Sequence, residues 1–274
     1  MRMVRQPAVA GHFYPGLPAV LGRAVETLLD LARGVADPRT PKALIVPHAG
    51  YVYSGPTAAR GFVLLEPARL GIRRIVLIGP AHRYGFTGLA LSSSAAFATP
   101  LGEVAVDHTL DDRLLELPHV IEADRYHAAE HSLEVQLPFL QRVLEDFLLL
   151  PVVVGDATPQ QVAAVIEAAW GGPDTVMVIS SDLSHYLPYD VAEAVDKDTV
   201  QRILDLRWPL LDHAACGGRA VNGLLLAGCE HHLRPALVDR RNSGDTAGDR
   251  ERVVGYAAVS FTETATSEGR DEQS

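Results

Sequence analysis

The sequence predicts an α/β fold, a three-layer α/β/α sandwich with a largely parallel central sheet. Short apolar runs, typical of buried strands, alternate with segments of helical apolar spacing between residues 43 and 205. Several of these runs are followed closely by a histidine, at the point where open α/β sheets bind their ligands. We therefore expect a functional site at the carboxyl edge of the sheet.

Three strand-and-histidine pairs carry this prediction. They are residues 43–46 with His48, 75–78 with His82, and 176–179 with His185. One loop histidine is most often an ordinary hydrogen-bonded residue, but parallel strands would bring all three to one edge. Neutral imidazole is the commonest protein ligand for zinc, copper and iron, so the repetition favours a shared polar or metal site.

Length and composition indicate one folded domain. The chain has 274 residues, 47% of them hydrophobic, and no low-complexity linker, so a single domain over residues 1–262 is simpler than two small ones. The polar tail, residues 263–274, is expected to be disordered.

The net charge and the cysteine content argue against several classes of protein. A formal charge of −10 argues against non-specific binding to nucleic acid or to an anionic membrane. The two cysteines, Cys216 and Cys229, imply no disulfide framework. Because no apolar run approaches the length of a bilayer span and no signal core follows Met1, we expect a soluble cytoplasmic protein.

The remaining elements follow from local patterns. Proline at a first turn and apolar spacing predict helices starting near Pro18 and Pro56, and Ser132 is a plausible N-cap for a third. Thr158 and Pro159 predict a helix through residue 169, and further helices are expected over 190–206 and 219–226. The apolar runs 147–154 and 253–261 are expected to be strands.

Several side chains are candidates for contacts with a ligand. Tyr51 lies between two glycines after His48, and Arg83 follows His82 directly. His131 and Glu134 would lie near the start of the helix capped by Ser132, where N–H groups and the helix dipole receive an anion, although Glu134 could equally favour that dipole alone. Asp182 precedes His185 in the same loop.

Two further candidates come late in the chain. Cys216 begins a predicted helix and is a small buried hydrophobe unless it lies near the site. Asp245 is carried by the turn-rich segment 241–249, which can deliver a carboxylate to the sheet edge.

At this point six ordered segments resemble one family. They are VPHAGYVYSG, IGPAHRYG, EHSLEVQLPFL, SSDLSHY, ACGGRAV and NSGD followed by VVGYAAVSF. They are similar to the Memo family, called AmmeMemoRadiSam system protein B in its bacterial and archaeal branch, and the match runs from about Arg5 to Phe261. The family is similar in fold to the class III extradiol dioxygenases, which use non-haem iron.

The resemblance implies roles for particular residues. His48 and His82 match the metal-binding histidines, His185 matches the acid/base histidine of the dioxygenases, and His131 lies in the same vestibule. Animal Memo proteins have a cysteine as the third ligand. An ungapped count places Thr246 at that position, so the adjacent Asp245 would complete a two-histidine, one-carboxylate face suited to iron(II).

Other ligand sets stay open at this stage. A three-histidine site or a metal-free site is compatible with the same residues. Copper or zinc would also be accepted by histidine and carboxylate ligands.

Two main functions follow from the resemblance. The first is a metal-dependent oxidoreductase, dioxygenase-like, acting on a small molecule or a partner's side chain. The alternative is a non-catalytic peptide- or protein-binding module that uses the same cleft, and hydrolysis at a zinc site is a third option. The family name implies a radical S-adenosylmethionine protein and an AMMECR-type protein as partners. A phosphopeptide cleft needs cations, and Arg83 is the only obvious one, which favours the metal site.

Overall fold

The computed structural model describes residues 2–34, 40–211 and 213–264, so most of the tail predicted to be disordered lies outside the described residues. The strands are β1 Val4–Arg5, β2 Ala43–Val46, β3 Arg74–Pro80, β4 Leu89–Leu91, β5 Ala96–Thr99, β6 Gly102–Ala105, β7 Val120–Glu122, β8 Leu148–Val154, β9 Thr175–Ser180, β10 His185–Leu187, β11 Arg234–Asn242 and β12 Val253–Thr262. The helices are α1 Pro18–Ala32, α2 Tyr51–Phe62, α3 Asp111–Leu115, α4 Leu137–Val143, α5 Pro159–Ala168, α6 Tyr189–Leu204 and α7 Gly218–Glu230.

A central sheet divides the hydrophobic core into two layers. Its strand order is β10-β12-β2-β9-β3-β8-β4-β7, with β11 also paired to β12. Alternate residues of each central strand point to opposite faces. Leu44 and Val46 of β2 pack in the cluster that contains α1, α2 and α4, whereas Ala43 and Ile45 pack in the cluster that contains α5, α6 and α7. The predicted α/β/α sandwich is therefore confirmed.

The sheet is mixed, which corrects the prediction of a largely parallel one. The four central strands β2, β9, β3 and β8 are parallel, but β12 is antiparallel to β2, and β4 is antiparallel to β8. Strands β10 and β11 are also antiparallel to β12. The alternating strand and helix pattern ends near residue 205, and the short connection from β11 to β12 joins two antiparallel neighbours without a crossover helix.

Two predicted helix starts are displaced. Helix α2 begins at Tyr51, and Pro56 lies inside it. Ser132 does not cap a helix, because its hydroxyl donates to the carbonyl of Pro80 at 2.9 Å. The chain instead forms a 3-10 turn over Glu134–Gln136 before α4 starts.

No helix in the described ranges has both the length and the apolar character that crossing a bilayer requires.

A small second sheet pairs β1, β5 and β6.

A buried ion pair fixes the N-terminal segment against the rest of the fold. Glu134 is fully buried and forms an ion pair with Arg5. Its carboxylate also accepts the backbone N–H groups of Ala8 and Val9, at 2.7 and 3.0 Å, and the hydroxyl of Tyr14 at 2.6 Å. Every lone-pair direction of this carboxylate is therefore committed to the N-terminal loop.

A second buried polar group is His127. Its Nε2 lies 3.0 Å from the carbonyl of Ala90, so the ring donates from Nε2, and Nδ1 has no hydrogen-bond partner among the described groups. Burial lowers the pKa of His127 from 6.5 to about 4. Protonating Nδ1 would place a charge and an unpaired donor in the core.

The Arg5–Glu134 pair should be essential for stability. We expect Glu134→Gln to lower the free energy of unfolding by about 3–5 kcal/mol, because it leaves the Arg5 guanidinium buried without its counter-charge. Urea unfolding measures this loss. The matched control is Glu145→Gln, which breaks the exposed pair with Arg69 and should cost under about 1 kcal/mol. Equal losses in the two variants would contradict the assignment.

His127 should make stability depend on pH. Its folded pKa of about 4 lies below the ordinary value of 6.5, so the unfolded chain binds more protons between those values. Stability is then complete above pH 6.5 and falls as the pH drops towards 4. Between pH 7 and pH 5 the wild-type protein should lose about 2 kcal/mol of its free energy of unfolding through His127. This part of the loss should be absent from His127→Gln. Denaturant unfolding at pH 7 and pH 5 measures the free energy of unfolding of both proteins. Equal losses in the wild-type protein and in His127→Gln would contradict the prediction.

Candidate metal centre

The parallel pairing of β2, β3 and β9 brings the histidine-bearing loops to one edge of the sheet. Strands β2, β3 and β9 end at Val46, Pro80 and Ser180. The ring centroids of His48 and His82 are 5.1 Å apart, and that of His131 lies 5.5 Å from His48 and 4.6 Å from His82. The observed strand order therefore explains why these loops converge, as the sequence predicted.

A cavity of about 600 Å³ opens over this cluster, within the usual range for small-molecule sites. Its described lining comprises Phe13, His48, Ala49, Gly50, Tyr53, His82, His131, Asp182, His185, Tyr186, Ser243, Gly248, Asp249, Arg252, Val254 and Tyr256.

Hydrogen bonds fix the tautomer of His48. The Ser180 hydroxyl donates to the carbonyl of Ser132 at 2.6 Å, so its oxygen accepts from Nδ1–H of His48 at 2.9 Å. The side-chain amide of Gln136 donates to the same oxygen at 2.8 Å. The Nε2 lone pair of His48 is therefore available as a ligand. Burial, together with His82 and His131, holds the pKa of His48 well below 6.5, which keeps the ring neutral.

Glu130 orients His82 in the same manner. Its carboxylate accepts Nδ1–H of His82 at 2.9 Å and the backbone N–H of the same residue at 2.5 Å. It also accepts the backbone N–H groups of His131 and Ser132, each at 2.9 Å. Burial raises the pKa of Glu130, but these hydrogen bonds outweigh it and lower the pKa to about 2. An ionised carboxylate behind an imidazole is the usual support for a metal-binding histidine.

Three further ionisable groups face the cavity. Burial lowers the pKa of His131 to about 4, although Glu130 opposes the shift, and its Nδ1 has no hydrogen-bond partner among the described residues. Burial raises the pKa of Asp182 to about 6, against the backbone N–H of His48, which donates to it at 2.8 Å. His185 lies in β10 at an irregularity in its pairing with β12, and its Nδ1 is 2.9 Å from the carbonyl of Leu183.

Cys216 brings a sulfur atom to the cluster. Its Sγ lies 3.1 Å from Nε2 of His48, and the backbone N–H of Asp182 donates to it at 3.3 Å. One ligand atom from each of His48, His82 and Cys216 lies within 4.8 Å of the other two. Burial raises the pKa of the Cys216 thiol well above its ordinary value.

Two more groups of ligand-type side chains overlap the first. They are His82 with Glu130 and His131, and Asp182 with His185 and Cys216. Two imidazoles whose Nδ1 atoms are committed to hydrogen bonds, with further donor atoms within 4.8 Å, fit a divalent transition metal.

Comparison with known proteins identifies the family. A family model described as Memo-like protein matches residues 5–260, nearly the whole chain. The chain belongs to the Memo family. A MEMO1 family protein of Metallosphaera sedula is 35% identical and is matched over 95% of this chain and 100% of its own length. One from Aquifex aeolicus is 37% identical, with 94% and 99% covered.

A solved structure of an uncharacterised protein from Escherichia coli K12 has the same fold. Its TM-score is 0.50 at 15% identity, and the match covers 80% of this chain and 99% of that one. At this level of identity the likeness shows the fold alone.

In this Memo family chain, the structure does not bring Asp245 to the histidines. Its Oδ1 accepts the hydroxyl of Tyr189 at 2.7 Å, and its Oδ2 accepts the backbone N–H of Asn242 at 3.0 Å. The carboxylate closes the turn at the end of β11, and the described lining of the cavity does not include it. The prediction of Asp245 as third ligand therefore has no geometric support.

Three predicted ligand contacts also lie elsewhere. Tyr51 is buried in the core, where its hydroxyl donates to the carbonyl of Val135 at 2.7 Å. Glu134 is committed to the N-terminal loop. Arg83 is exposed and does not appear in the described lining, although its charge contributes to the lowered pKa of His131.

Sequence reasoning missed the residues that support and enclose the Memo site. Ser180 and Glu130 orient the two histidines, and each stands beside a segment that was already a candidate. Tyr53 and Phe13 form part of the cavity wall. Arg252 is the one arginine or lysine among the described lining residues, and no local pattern marked it because it approaches from the loop before β12.

Proposed function

We propose that this Memo family protein is a metal-dependent enzyme, of the oxidoreductase class, that acts on a small molecule held in the 600 Å³ cavity. The observation that carries the proposal is the matched orientation of His48 and His82. Each ring has its Nδ1–H committed to a fixed oxygen, Ser180 in one case and Glu130 in the other. Both Nε2 lone pairs are thereby available to one ion.

Iron(II) is the metal that the family resemblance favours, with copper or zinc as alternatives. A bound ion of this kind would supply Lewis acidity and, if it is iron, redox chemistry with O₂. The roles of His48 and His82 as ligands rest on their geometry, and the dioxygenase-like character rests on the resemblance alone.

Residues of the chain would transfer protons to and from the substrate. Burial raises the pKa of Asp182 to about 6, closer to neutral pH than that of an ordinary carboxyl group, so Asp182 would suit the role of general base or acid. Nδ1 of His185 donates to the Leu183 carbonyl at 2.9 Å, which leaves Nε2 for a contact with a substrate in the cavity that His185 lines. Phe13, Tyr53 and Tyr256 form an apolar wall that would exclude water and orient the substrate.

A second candidate function is a binding module for an anionic peptide or protein segment in the same cavity. Arg252 favours it, because this cation is among the described lining residues of the cavity, whereas Arg83 is not. A radical S-adenosylmethionine protein and an AMMECR-type protein are proposed partners in either case, on the basis of the family name. Lack of metal binding after reconstitution would favour this function over the enzyme.

The central test removes each imidazole. His48→Ala and His82→Ala should each abolish tight metal binding, because each variant removes one of the two imidazole ligands and water is a much weaker replacement. Metal per chain is measured by elemental mass spectrometry on untagged protein purified without oxygen. The matched control is His231→Ala, which removes a histidine at the opposite end of α7 and should keep the wild-type content. Full metal content in both site variants would refute the proposal.

Glu130, whose carboxylate orients His82, allows the metal affinity to be weakened without removing a ligand. Glu130→Gln keeps the size of the side chain but removes the charge behind His82. We expect metal affinity to fall by about 10–100-fold, the usual effect of losing such a support. Competition with a chelator of known affinity measures the change. Unaltered affinity in a folded Glu130→Gln protein would mean that His82 is not a ligand.

A further inference from the structure

Helix α6 carries a buried carboxylate, Asp196, that is not among the described lining residues of the cavity. Its Oδ2 has no hydrogen-bond partner among the described groups. Burial raises the pKa of Asp196, although hydrogen bonds from Ser184 oppose the shift. Because a buried carboxylate is costly unless it is well paired, its presence in the middle of α6 calls for an explanation.

Asp196 binds the peptide group that in turn binds the ring of His185. Its Oδ1 accepts the backbone N–H of Ser184 at 3.0 Å. The carbonyl of the same peptide group belongs to Leu183, and it accepts Nδ1–H of His185 at 2.9 Å. A trans peptide group is planar, with its N–H and C=O pointing in opposite directions. The bond to Asp196 therefore fixes the direction in which the Leu183 carbonyl points.

We propose that Asp196 is a positioning residue that sets the tautomer of His185 through the Leu183–Ser184 peptide group. A neutral imidazole that donates from Nδ1 to a carbonyl has its lone pair on Nε2. His185 lines the cavity, so this tautomer provides a proton acceptor for a substrate held there. The use of that acceptor in a reaction rests on the proposed function, whereas the tautomer itself does not.

Strand β12 holds the peptide groups on either side of this one. The backbone N–H of Leu183 donates to the carbonyl of Gly255 at 2.8 Å, and the N–H of Gly255 donates to the carbonyl of Ser184 at 2.9 Å. A Cβ at residue 255 would lie 1.9 Å from Oδ2 of Asp196. Glycine therefore allows β12 to pass close to the carboxylate, and a larger residue would displace it.

The neighbouring charges do not explain the carboxylate. Arg240 lowers the pKa of Asp196, but this arginine forms its described ion pair with Glu193, at 2.9 Å. The described hydrogen bond of the Asp196 side chain goes to the His185 loop. A hydrogen bond to an ionised acceptor is roughly twice as strong as a neutral one, and it polarises the peptide group so that its carbonyl becomes a better acceptor.

Asp196→Ala should release the peptide group and with it the tautomer of His185. We expect the ratio of the Nδ1–H form to the Nε2–H form to fall roughly tenfold, the change expected when about one hydrogen bond is lost. The measurement is NMR of protein labelled with ¹⁵N-histidine, at about pH 8.5, two units above the ordinary pKa of histidine. Zn²⁺ replaces any paramagnetic ion, and His185 is assigned from the signals that His185→Gln loses.

Two control variants should keep the wild-type ratio. Asp196→Asn retains an oxygen that accepts the N–H of Ser184, so it should preserve the tautomer. Thr199→Val removes another buried polar group of α6, whose hydroxyl donates to the carbonyl of Val195 in the same helix. Gly255→Ala should shift the tautomer as Asp196→Ala does, and it tests the inference if Asp196→Ala does not fold.

The outcomes separate this inference from the proposed function. A wild-type His185 protonated on Nε2, or a wild-type ratio in both Asp196→Ala and Gly255→Ala, would overturn the role of Asp196. Metal content, measured on the same proteins, should be unchanged in Asp196→Ala, because His48 and His82 keep their bonds to Ser180 and Glu130. Wild-type protein that binds no metal would contradict the proposed function, and the tautomer ratio would still decide the role of Asp196.

Discussion

The carboxylate of Glu130 joins two loops that come from different parts of the chain. It accepts the ring and the backbone of His82 after β3, and it accepts the backbone N–H groups of His131 and Ser132 in its own segment. The positions of His82 and His131 relative to each other therefore depend on one buried anion. Four donors outweigh the cost of its burial, since the pKa of Glu130 falls to about 2 despite desolvation.

The sheet provides the frame within which this carboxylate acts. Strands β2, β9 and β3 pair in parallel and end at the same edge, so His48 and His82 emerge side by side. Ser180 at the end of β9 then accepts from His48, as Glu130 does from His82. The same edge is closed on another side by the N-terminal loop, which the Arg5–Glu134 pair holds in place and which brings Phe13 to the cavity.

The convergence of His48, His82 and His185 on one cavity could be predicted from the sequence, because each of these histidines follows its own apolar run and the three strands end at the same edge of the sheet. The place of Asp182 could be predicted in the same way, because it precedes His185 in the same loop. The direction of the Asp245 carboxylate could not be predicted in this way, because it is set by a partner distant in sequence. Tyr189, which engages Asp245, is 56 residues away along the chain. Glu134 was misassigned for the same reason, since its partners Arg5 and Tyr14 leave no local trace near it. The antiparallel strands β11 and β12 lie beyond the alternating pattern that predicted a parallel sheet.

The central claim is that one metal ion binds between His48 and His82. Anomalous X-ray diffraction from crystals of the untagged protein, with data collected on both sides of the absorption edge of the bound metal, tests it most directly. The account predicts a single strong peak about 2 Å from Nε2 of both histidines, a distance typical of metal–imidazole bonds. Absence of a peak there after soaking with Zn²⁺, or a dominant peak elsewhere on the chain, would contradict it.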